Sequence, residues 1–429
     1  MWLACNILFF VLILLVAYCY VLFPLFMTVR SRGKQNNQEQ FVLSDDLPEV
    51  AVVMAVYNEE EVIEQKLQSI FATTYPLEKI QVFIGSDNST DATHSIIEKY
   101  IHPQPPKGGF RSSEIDLNNS TSTEQKSPLG NRACELSAAN LGVKNIHLKI
   151  YSQRQGKPAI INDLVTQTNA DVLILTDANV YFEPETIFEL TKHYKNPHIG
   201  LVGALIVNTN IKKTGISYQE KTYLSLENKV KYAEGVLGGA MIGAFGGAFS
   251  LRNELYKTVP PNFIVDDFYI TMQVLKQDKQ CILEPSAVVY EDVANVPAEE
   301  FRRKVRISTG NYQNLREFRS LIRFNTVGFY FFSHKILRWI TPFFLTGIFI
   351  FAGIMAFQSK VFLAIFITLF LSRVALLVDF ALKKLGIHSR LLRFISHFYQ
   401  MNFALLLGFF KYIKGVQSNV WQPTKRNQN

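Results

Sequence analysis

Residues 50–60 read VAVVMAVYNEE, an apolar run that changes abruptly to polar and acidic residues. An uninterrupted apolar run of this length is typical of a strand that is buried on both faces, as in a parallel sheet. The same change occurs twice more: IQVFI at 80–84 is followed by GSDNSTD, and DVLIL at 171–175 is followed by TDAN. These three runs predict buried strands that each end in acidic residues, on the same edge of one sheet.

Stretches with helical apolar spacing separate the predicted strands. The predicted order is strand 50–56, helix 60–71, strand 80–84, helix 90–100, strand 146–150, helix 158–168 and strand 171–175. This alternation predicts an α/β domain with a mostly parallel, Rossmann-like sheet that helices cover on both faces. The polar stretch 103–132 interrupts the pattern and predicts a surface insertion, which either is idle or docks a partner.

The polar residues after the strands are candidate ligand-binding groups, because ligands of such sheets bind at the carboxyl ends of the strands. Each also has a simpler interpretation. Asp87 and its neighbours suit the N-cap of the next helix, and Asp177 with Asn179 suits a strand-to-turn transition. Carboxylate and amide oxygens are preferred by Mg²⁺ and Mn²⁺, which share themselves with substrate phosphates, so Asp177 and Asn179 are candidate metal ligands.

Three further segments combine glycine or charge with an expected helix. QGKP at 155–158 places Lys157 at a helix N-terminus, where it either binds an anion or lies on the surface. Six glycines in 235–247 predict either a close-packed strand edge that lines a pocket or a helix-packing stretch. Asp266 and Asp267 open a helix, either as a cap that complements the dipole or as a general base.

A fourth segment, FRRKVR at 301–306, is a basic helical turn just before the apolar C-terminal region. One interpretation is an interfacial helix whose cations meet lipid headgroups. The other is a diphosphate-binding segment, since arginine grips phosphate in two places.

Composition and charge exclude several classes of protein. Of 429 residues, 19% are charged and 48% hydrophobic, which excludes a disordered chain and argues against an ordinary cytosolic enzyme. Four cysteines without a CxxC pair exclude a disulfide scaffold and argue against a structural zinc site. The chain carries +11 from residue 328 onward but −5 across 41–327, so the expected folded domain lacks the basic surface of a nucleic-acid binder.

Apolar segments at both ends predict a multi-pass protein of the cell membrane. Residues 2–27 are long enough to span a bilayer core of about 30 Å. Basic residues follow at 30–34, so the positive-inside rule predicts an uncleaved anchor and places the domain that follows it in the cytoplasm. Residues 337–357 and 361–382 predict two more spans. A third C-terminal span at 394–412 would place the basic tail outside, so we favour a re-entrant or interfacial segment there over a span.

Taken in order, these segments resemble the membrane-embedded family 2 glycosyltransferases, inverting enzymes of GT-A fold that include cellulose, chitin and hyaluronan synthases. The stretch VAVVMAVYNEEEVIEQKLQSIFATTYP is similar to the first nucleotide-binding motif of that family, IGSDNSTDAT to the second, and QGKPAIIND to its GKxxALN segment. LTDAN stands where the family has its metal-binding DxD, VDD where it has its acidic ED motif, and RRKVR where processive members have QxxRW. The likeness covers residues 48–315 and the layout of both membrane ends.

This resemblance implies a GT-A domain, flanked by transmembrane helices, that transfers a sugar from a nucleoside-diphosphate sugar, most simply a UDP-sugar. It implies that Asp267, with Asp266 beside it, is the catalytic base, and that Asp177 and Asn179 hold Mg²⁺ or Mn²⁺. The implied nucleotide-sugar-binding residues are Tyr57, Asn58, Glu59, Asp87, Lys157, Asp177, Arg303 and Arg306.

Two motifs depart from the family pattern. Asn179 replaces the second acid of DxD, where an amide oxygen can still coordinate. In the QxxRW segment Arg306 is kept, but Arg303 and Ile307 replace the glutamine and the tryptophan, and that tryptophan helps to place the acceptor sugar in processive enzymes.

These departures leave three activities open. The first is synthesis of a surface polysaccharide or glycolipid on a glycan or lipid acceptor, with export partners in the polysaccharide case. The second is the non-processive transfer of a single sugar to a lipid. The third is a catalytically silent, nucleotide-binding scaffold of a polysaccharide export machine, which Asn179 favours.

The sequence divides into six expected parts. They are an anchor at 1–28, a linker at 29–48, the glycosyltransferase domain at 49–300, interfacial amphipathic helices at 301–330, transmembrane or re-entrant helices at 331–414 and a cytosolic tail at 415–429.

Overall fold

The computed structural model describes residues 2–101, 145–209, 217–292, 297–385 and 389–416. The predicted insertion at 103–132 lies outside the described residues, as does most of the predicted tail.

An eight-stranded mixed sheet forms the centre of the domain. Its strands are β1 (Val50–Val56), β2 (Ile80–Ser86), β3 (Ile146–Ile150), β4 (Val172–Thr176), β5 (Val180–Phe182), β6 (Ile199–Thr209), β7 (Ala248–Arg252) and β8 (Gln280–Asp292). They lie in the order β3-β2-β1-β4-β7-β6-β8-β5. The first four in this order run parallel, while β7 is antiparallel to both of its neighbours.

Helices cover both faces of this sheet and continue beyond it. Those within or beside the sheet are α3 (Ile63–Phe71), α4 (Thr93–Ile101), α5 (Lys157–Val165), α6 (Thr186–Thr191), α7 (Ser217–Gly238) and α8 (Asp266–Lys276). The others are α1 (Trp2–Ala17), α2 (Phe23–Arg30), α9 (Pro297–Glu317), α10 (Thr326–Tyr330), α11 (Leu337–Ala356), α12 (Lys360–Lys384) and α13 (Arg390–Lys414). Two buried apolar clusters, one on each side of the sheet, form the core.

The predicted α/β class with a mostly parallel, Rossmann-like sheet is confirmed. The strands at 50–56 and 146–150 have their predicted bounds, and the strand predicted to end at 84 continues to Ser86. Strands β2, β1 and β4 are adjacent and parallel, so the three acidic strand ends do share one edge of the sheet.

The strand-edge interpretation of the glycine-rich segment 235–247 is wrong. Gly235 and Gly238 belong to the last turns of α7, where Gly235 packs closely on Ile282 of β8, as the helix-packing interpretation expects. Residues 239–247 form a loop in which Gly239 and Gly243 have positive φ angles of 60° and 79°. Glycine adopts such angles readily, so these residues allow the chain to turn sharply. Ala240 forms only an isolated parallel bridge with Cys281 of β8, so residues 239–247 touch the sheet without forming a strand. We call residues 239–247 the glycine loop.

Three helical stretches in the described ranges are long and apolar enough to cross a membrane: Trp2–Arg30, Thr326–Ala356 and Lys360–Asp379. The first joins α1 and α2 through a π-helical turn, and the second joins α10 and α11 in the same way. Helix α13 is not among them. It lies along α9, where the Ser308 hydroxyl donates to the Leu405 carbonyl at 3.0 Å, and its re-entrant or interfacial character stays a prediction.

The segment after α2 is tied to the sheet domain by side-chain hydrogen bonds. The Asn36 amide donates to the Leu283 carbonyl at 2.7 Å, and the Tyr232 hydroxyl donates to the Lys34 carbonyl at 3.2 Å. These bonds join the first apolar helix to β8 and α7 over a short length of chain.

We expect Gly85→Ala to destabilise the domain by about 1–3 kcal/mol, the usual cost of overpacking a core. A Cβ at Gly85 would lie 2.2 Å from Cγ2 of Ile160, so β2 and α5 would have to separate. The measurement is chemical denaturation of the solubilised protein. Ile160→Ala removes the colliding methyl group, so the double variant should lose less stability than the sum of the single variants; strict additivity would contradict this packing.

Candidate active site

The turns after β1 and β2 are held together by their own polar residues. The Asn58 side chain accepts a hydrogen bond from the Thr90 amide at 2.8 Å, and its backbone N–H donates to the Ser89 hydroxyl at 3.1 Å. The Glu59 amide donates to the Thr93 hydroxyl at 2.9 Å. Asn58 has a φ of 51°, a conformation that asparagine tolerates better than most residues. The two turns therefore form one wall of the sheet edge at which β1, β2 and β4 end, which we call the polar edge.

Asp87 fixes the loop that leads into α5. Its fully buried carboxylate accepts hydrogen bonds from the backbone amide of Gln155 at 2.6 Å, from that of Gly156 at 3.2 Å and from the Arg154 Nε at 2.9 Å. The Arg154 guanidinium in turn stacks 3.3 Å from the centre of the Tyr57 ring. Tyr57 and Asp87 thus lie together with Arg154, which the sequence interpretation did not select.

Lys157 joins two acidic segments that are far apart in the sequence. Its ammonium lies 2.8 Å from Asp177 Oδ1, at the end of β4, and 3.5 Å from Asp266 Oδ2, at the start of α8. Burial acts to lower the pKa of Lys157, but Asp177 and Asp266 outweigh it and raise the pKa above its ordinary value. Lys157 is therefore a permanent cation at the centre of the polar edge.

Asp267 lies beside this ion-pair chain and against the glycine loop. Its Oδ1 accepts a hydrogen bond from the Phe268 amide at 2.7 Å, and a Cβ on Gly246 would lie 2.8 Å from its Oδ2. Burial, followed by the charge of Asp266, raises the pKa of Asp267 to about 6. A carboxylate with this pKa is ionised at neutral pH and is still basic enough to take a proton.

The two predicted arginines of α9 differ in their surroundings. Arg303 forms an ion pair with Glu300 at 3.3 Å on its own helix. Arg306 is exposed, and the charges of Asp266, Asp177 and Asp267 reach it. Arg306 is therefore influenced by the charges of the acidic group, while Arg303 forms its ion pair with Glu300 within α9.

Asp177 and Asn179 provide the donor chemistry that a hard divalent ion requires. The Asp177 side chain is 37% exposed at the open edge, whereas Asn179 is buried and its Nδ2 has no hydrogen-bond partner in the described chain. In the part of the chain that the structure describes, no group of three or more His, Cys, Asp or Glu side chains is placed to hold a metal ion. One carboxylate and one amide oxygen still fit Mg²⁺ or Mn²⁺, because these ions complete their coordination with water and substrate phosphates.

One polar residue beneath the site was missed by the sequence interpretation. Lys66 of α3 is fully buried, and its ammonium donates to the Thr176 hydroxyl at 2.9 Å and to the Val180 carbonyl at 2.6 Å. It thereby braces both ends of the turn that carries Asp177 and Asn179. A lysine at an apolar position of the helical pattern, between Val62 and Ile70, was the signal that could have identified it.

The sheet and the helices that cover it form a GT-A fold. Residues 51–114 match the sequence model of the family described as Glycosyl transferase family 2, the family that the sequence motifs resemble. The predicted recognition is therefore confirmed.

Two kinds of curated relative extend over much of the chain. It is 22% identical over 301 residues to poly-beta-1,6-N-acetyl-D-glucosamine synthase of Staphylococcus epidermidis, a match covering 68% of this chain and 62% of that one. It is 23% identical over 305 residues to beta-monoglucosyldiacylglycerol synthase of Synechocystis, covering 69% and 55%. The chain thus spans somewhat more than half the length of these relatives.

A solved structure has the same fold over nearly the whole chain. The mannosyltransferase PcManGT from Pyrobaculum calidifontis, in complex with GDP-Man and Mn²⁺, superposes with a TM-score of 0.63 at 18% identity. The match covers 95% of this chain and 99% of that one. The GT-A fold is confirmed by this likeness.

We expect the stability of Asp267→Asn, relative to wild type, to improve as pH rises from about 4 to 7. The raised pKa of Asp267 means that its contribution to wild-type stability is present below its unfolded value of 3.8 and is lost as pH rises through about 6. The Asp267→Asn variant has no titrating carboxyl group at this position, so it does not lose stability in this way as pH rises. The measurement is the Tm of both proteins across that range.

Asp163→Asn is the matched control, and we expect its stability relative to wild type to change with pH in the opposite direction. Lys149 and Tyr151 hold the pKa of Asp163 below its ordinary value despite the opposing effect of burial, so this variant should lose stability at neutral pH and less in acid. A Tm difference for Asp267→Asn that is the same at every pH would contradict the raised pKa.

Proposed function

We propose that this protein is a membrane-bound, inverting glycosyltransferase that uses a nucleoside-diphosphate sugar, most simply a UDP-sugar. The observation that carries the proposal is Asp267, a carboxylate with a pKa of about 6 next to the Lys157 ion-pair chain at the carboxyl edge of the sheet. In this proposal the apolar helices span the cell membrane and the domain faces the cytoplasm.

Asp267 acts as the general base. It takes the proton from an acceptor hydroxyl as that oxygen forms a bond to the anomeric carbon of the donor sugar. The bond from the anomeric carbon to the diphosphate oxygen breaks in the same displacement, so the configuration of the sugar is inverted. The proton remains on Asp267 until it passes to solvent.

Positively charged side chains next to the acidic residues stabilise the departing diphosphate. Lys157 is held between Asp177 and Asp266, and the charges of the same acids act on the exposed Arg306. Preorganised cations at the position where negative charge develops lower the barrier without any rearrangement. Mg²⁺ or Mn²⁺, held by Asp177 and Asn179, would neutralise further diphosphate charge when bound.

The other predicted donor-binding residues lie on the same edge. Tyr57, Asn58 and Asp87 line the β1 and β2 turns, and Glu59 follows them. We assign them to the nucleotide side of the donor, with Asp87 acting through the loop whose backbone it holds.

A second candidate function is single-sugar transfer to a lipid, and Ile307 favours it because processive relatives have tryptophan there. The names of the relatives support both possibilities, one a polysaccharide synthase and the other a glucosyldiacylglycerol synthase. Product length distinguishes them: we expect one added sugar per acceptor by mass spectrometry, whereas a ladder of oligomers would establish processive synthesis.

The primary test is nucleoside-diphosphate release by the protein in lipid nanodiscs. UDP-, GDP- and dTDP-sugars are supplied with Mn²⁺ or Mg²⁺, and we expect release from one donor. Asp267→Asn should reduce turnover by at least about 100-fold, because it removes the general base, while donor affinity is retained.

Asp163→Asn serves as the surface control and should turn over like wild type. Full turnover in a folded Asp267→Asn variant would refute the role of Asp267. Donor binding by wild type without release to any acceptor would favour the silent-scaffold alternative.

A further inference from the structure

Helix α7 carries a buried cation that the mechanism above does not use. Lys231 is only 3% exposed, and no described residue forms a hydrogen bond or an ion pair with it. Its ammonium lies over the Phe245 ring, 3.3 Å from the ring centre. Burial, followed by the charge of Lys335, lowers the pKa of Lys231 to about 7. The charges of Glu227, Asp267 and Glu234 act in the opposite direction, but none of these carboxylates forms a contact ion pair with the Lys231 ammonium. Burial of an ammonium that donates no hydrogen bond destabilises a fold, so Lys231 is a candidate to bind a ligand.

A second unsatisfied polar group lies one turn earlier on the same helix. Asn228 is 9% exposed, and its Nδ2 donates to the Ile206 carbonyl at 3.3 Å. Its Oδ1 is buried and accepts no hydrogen bond from any group in the described ranges. Residues three apart share one face of a helix, so α7 presents a donor without an acceptor beside an acceptor without a donor.

This pair lies close to the proposed base, Asp267. Phe245, on which the Lys231 ammonium lies, precedes Gly246, which in turn touches Asp267. The charges of Lys231 and Asp267 also act on each other, since each shifts the pKa of the other toward its ionised form. Lys231 and Asp267 therefore contact consecutive residues of the glycine loop, Phe245 and Gly246.

The chemistry of the pair selects the class of ligand. An ammonium donates hydrogen bonds and an amide oxygen accepts them, so one hydroxyl group satisfies both. A fully ionised phosphate satisfies only the ammonium. We propose that Lys231 and Asn228 form a subsite for a second, non-reacting hydroxyl of a polyol acceptor, a sugar or glycerol headgroup, next to the hydroxyl that Asp267 deprotonates. This inference rests on the proposed function and narrows its acceptor.

The test compares three acceptors with the same alkyl chain: octyl glucoside, octanol and octyl phosphate. Wild type should use octyl glucoside best. Lys231→Met should raise the KM for octyl glucoside by at least about tenfold, the usual effect of losing a hydrogen bond to a charged group, and should leave the donor KM unchanged. Lys231→Arg should restore part of this loss. Lys229→Met, on the exposed face of the same helix, should behave as wild type.

Two further readouts separate a binding role from a structural one. Replacing an unpaired buried cation by an apolar side chain should leave the Tm of Lys231→Met equal to or above that of wild type. Lys231 lowers the pKa of Asp267, together with Lys157 and against burial and Asp266, so its loss should move the acid limb of kcat/KM to higher pH.

An unchanged acceptor KM in Lys231→Met would overturn the inference, as would a lower Tm accompanied by normal kinetics. Preference of wild type for octyl phosphate would overturn the polyol assignment. Failure of wild type to release nucleoside diphosphate from any donor would instead refute the proposed function and, with it, this subsite.

Discussion

The ammonium of Lys157 is the point at which the candidate site is assembled. It bridges Asp177, which follows β4, and Asp266, which begins α8. Lys157 itself begins α5, and the loop before it is held by the buried Asp87 at the end of β2. Three segments that are distant in the sequence thus converge on one cation, and its charge offsets the repulsion between carboxylates that would otherwise separate them.

This arrangement explains how neighbouring acidic residues acquire different properties. Asp266 faces Lys157, whereas Asp267 is turned toward the glycine loop and has its pKa raised by burial and by its neighbour. Gly246 permits this close approach because it has no side chain. The charge of Lys231 on α7 also acts on Asp267 and lowers its pKa. Beneath the opposite side, Lys66 supports the turn of Asp177 and Asn179 from within the core.

Local pattern predicts much of this structure, and long-range packing determines the rest. The continuous apolar runs identified β1 to the residue and placed the acids of β1, β2 and β4 on one edge, because strand burial and parallel order are visible in sequence. The path of the glycine loop was not predictable, since glycine permits many backbone conformations and its neighbours Asp267, Phe268 and Gln280 are distant in sequence. Lys66 and Lys231 were missed for a related reason: lysine usually indicates solvent, and only tertiary contacts show that these two are buried.

The hydrogen bonds that follow the first apolar helix set a mechanical limit on the whole molecule. Asn36 and Tyr232 fasten this linker to β8 and α7, so the sheet domain is held close to the end of the first apolar helix. With the first helix in a bilayer, as proposed, the mouth of the site stands at a fixed height above the lipid surface. The distance between the lipid surface and the site would then select the acceptor by size. A membrane-bound acceptor that is too short to span this distance, or too bulky to fit beneath the domain, would not reach the site.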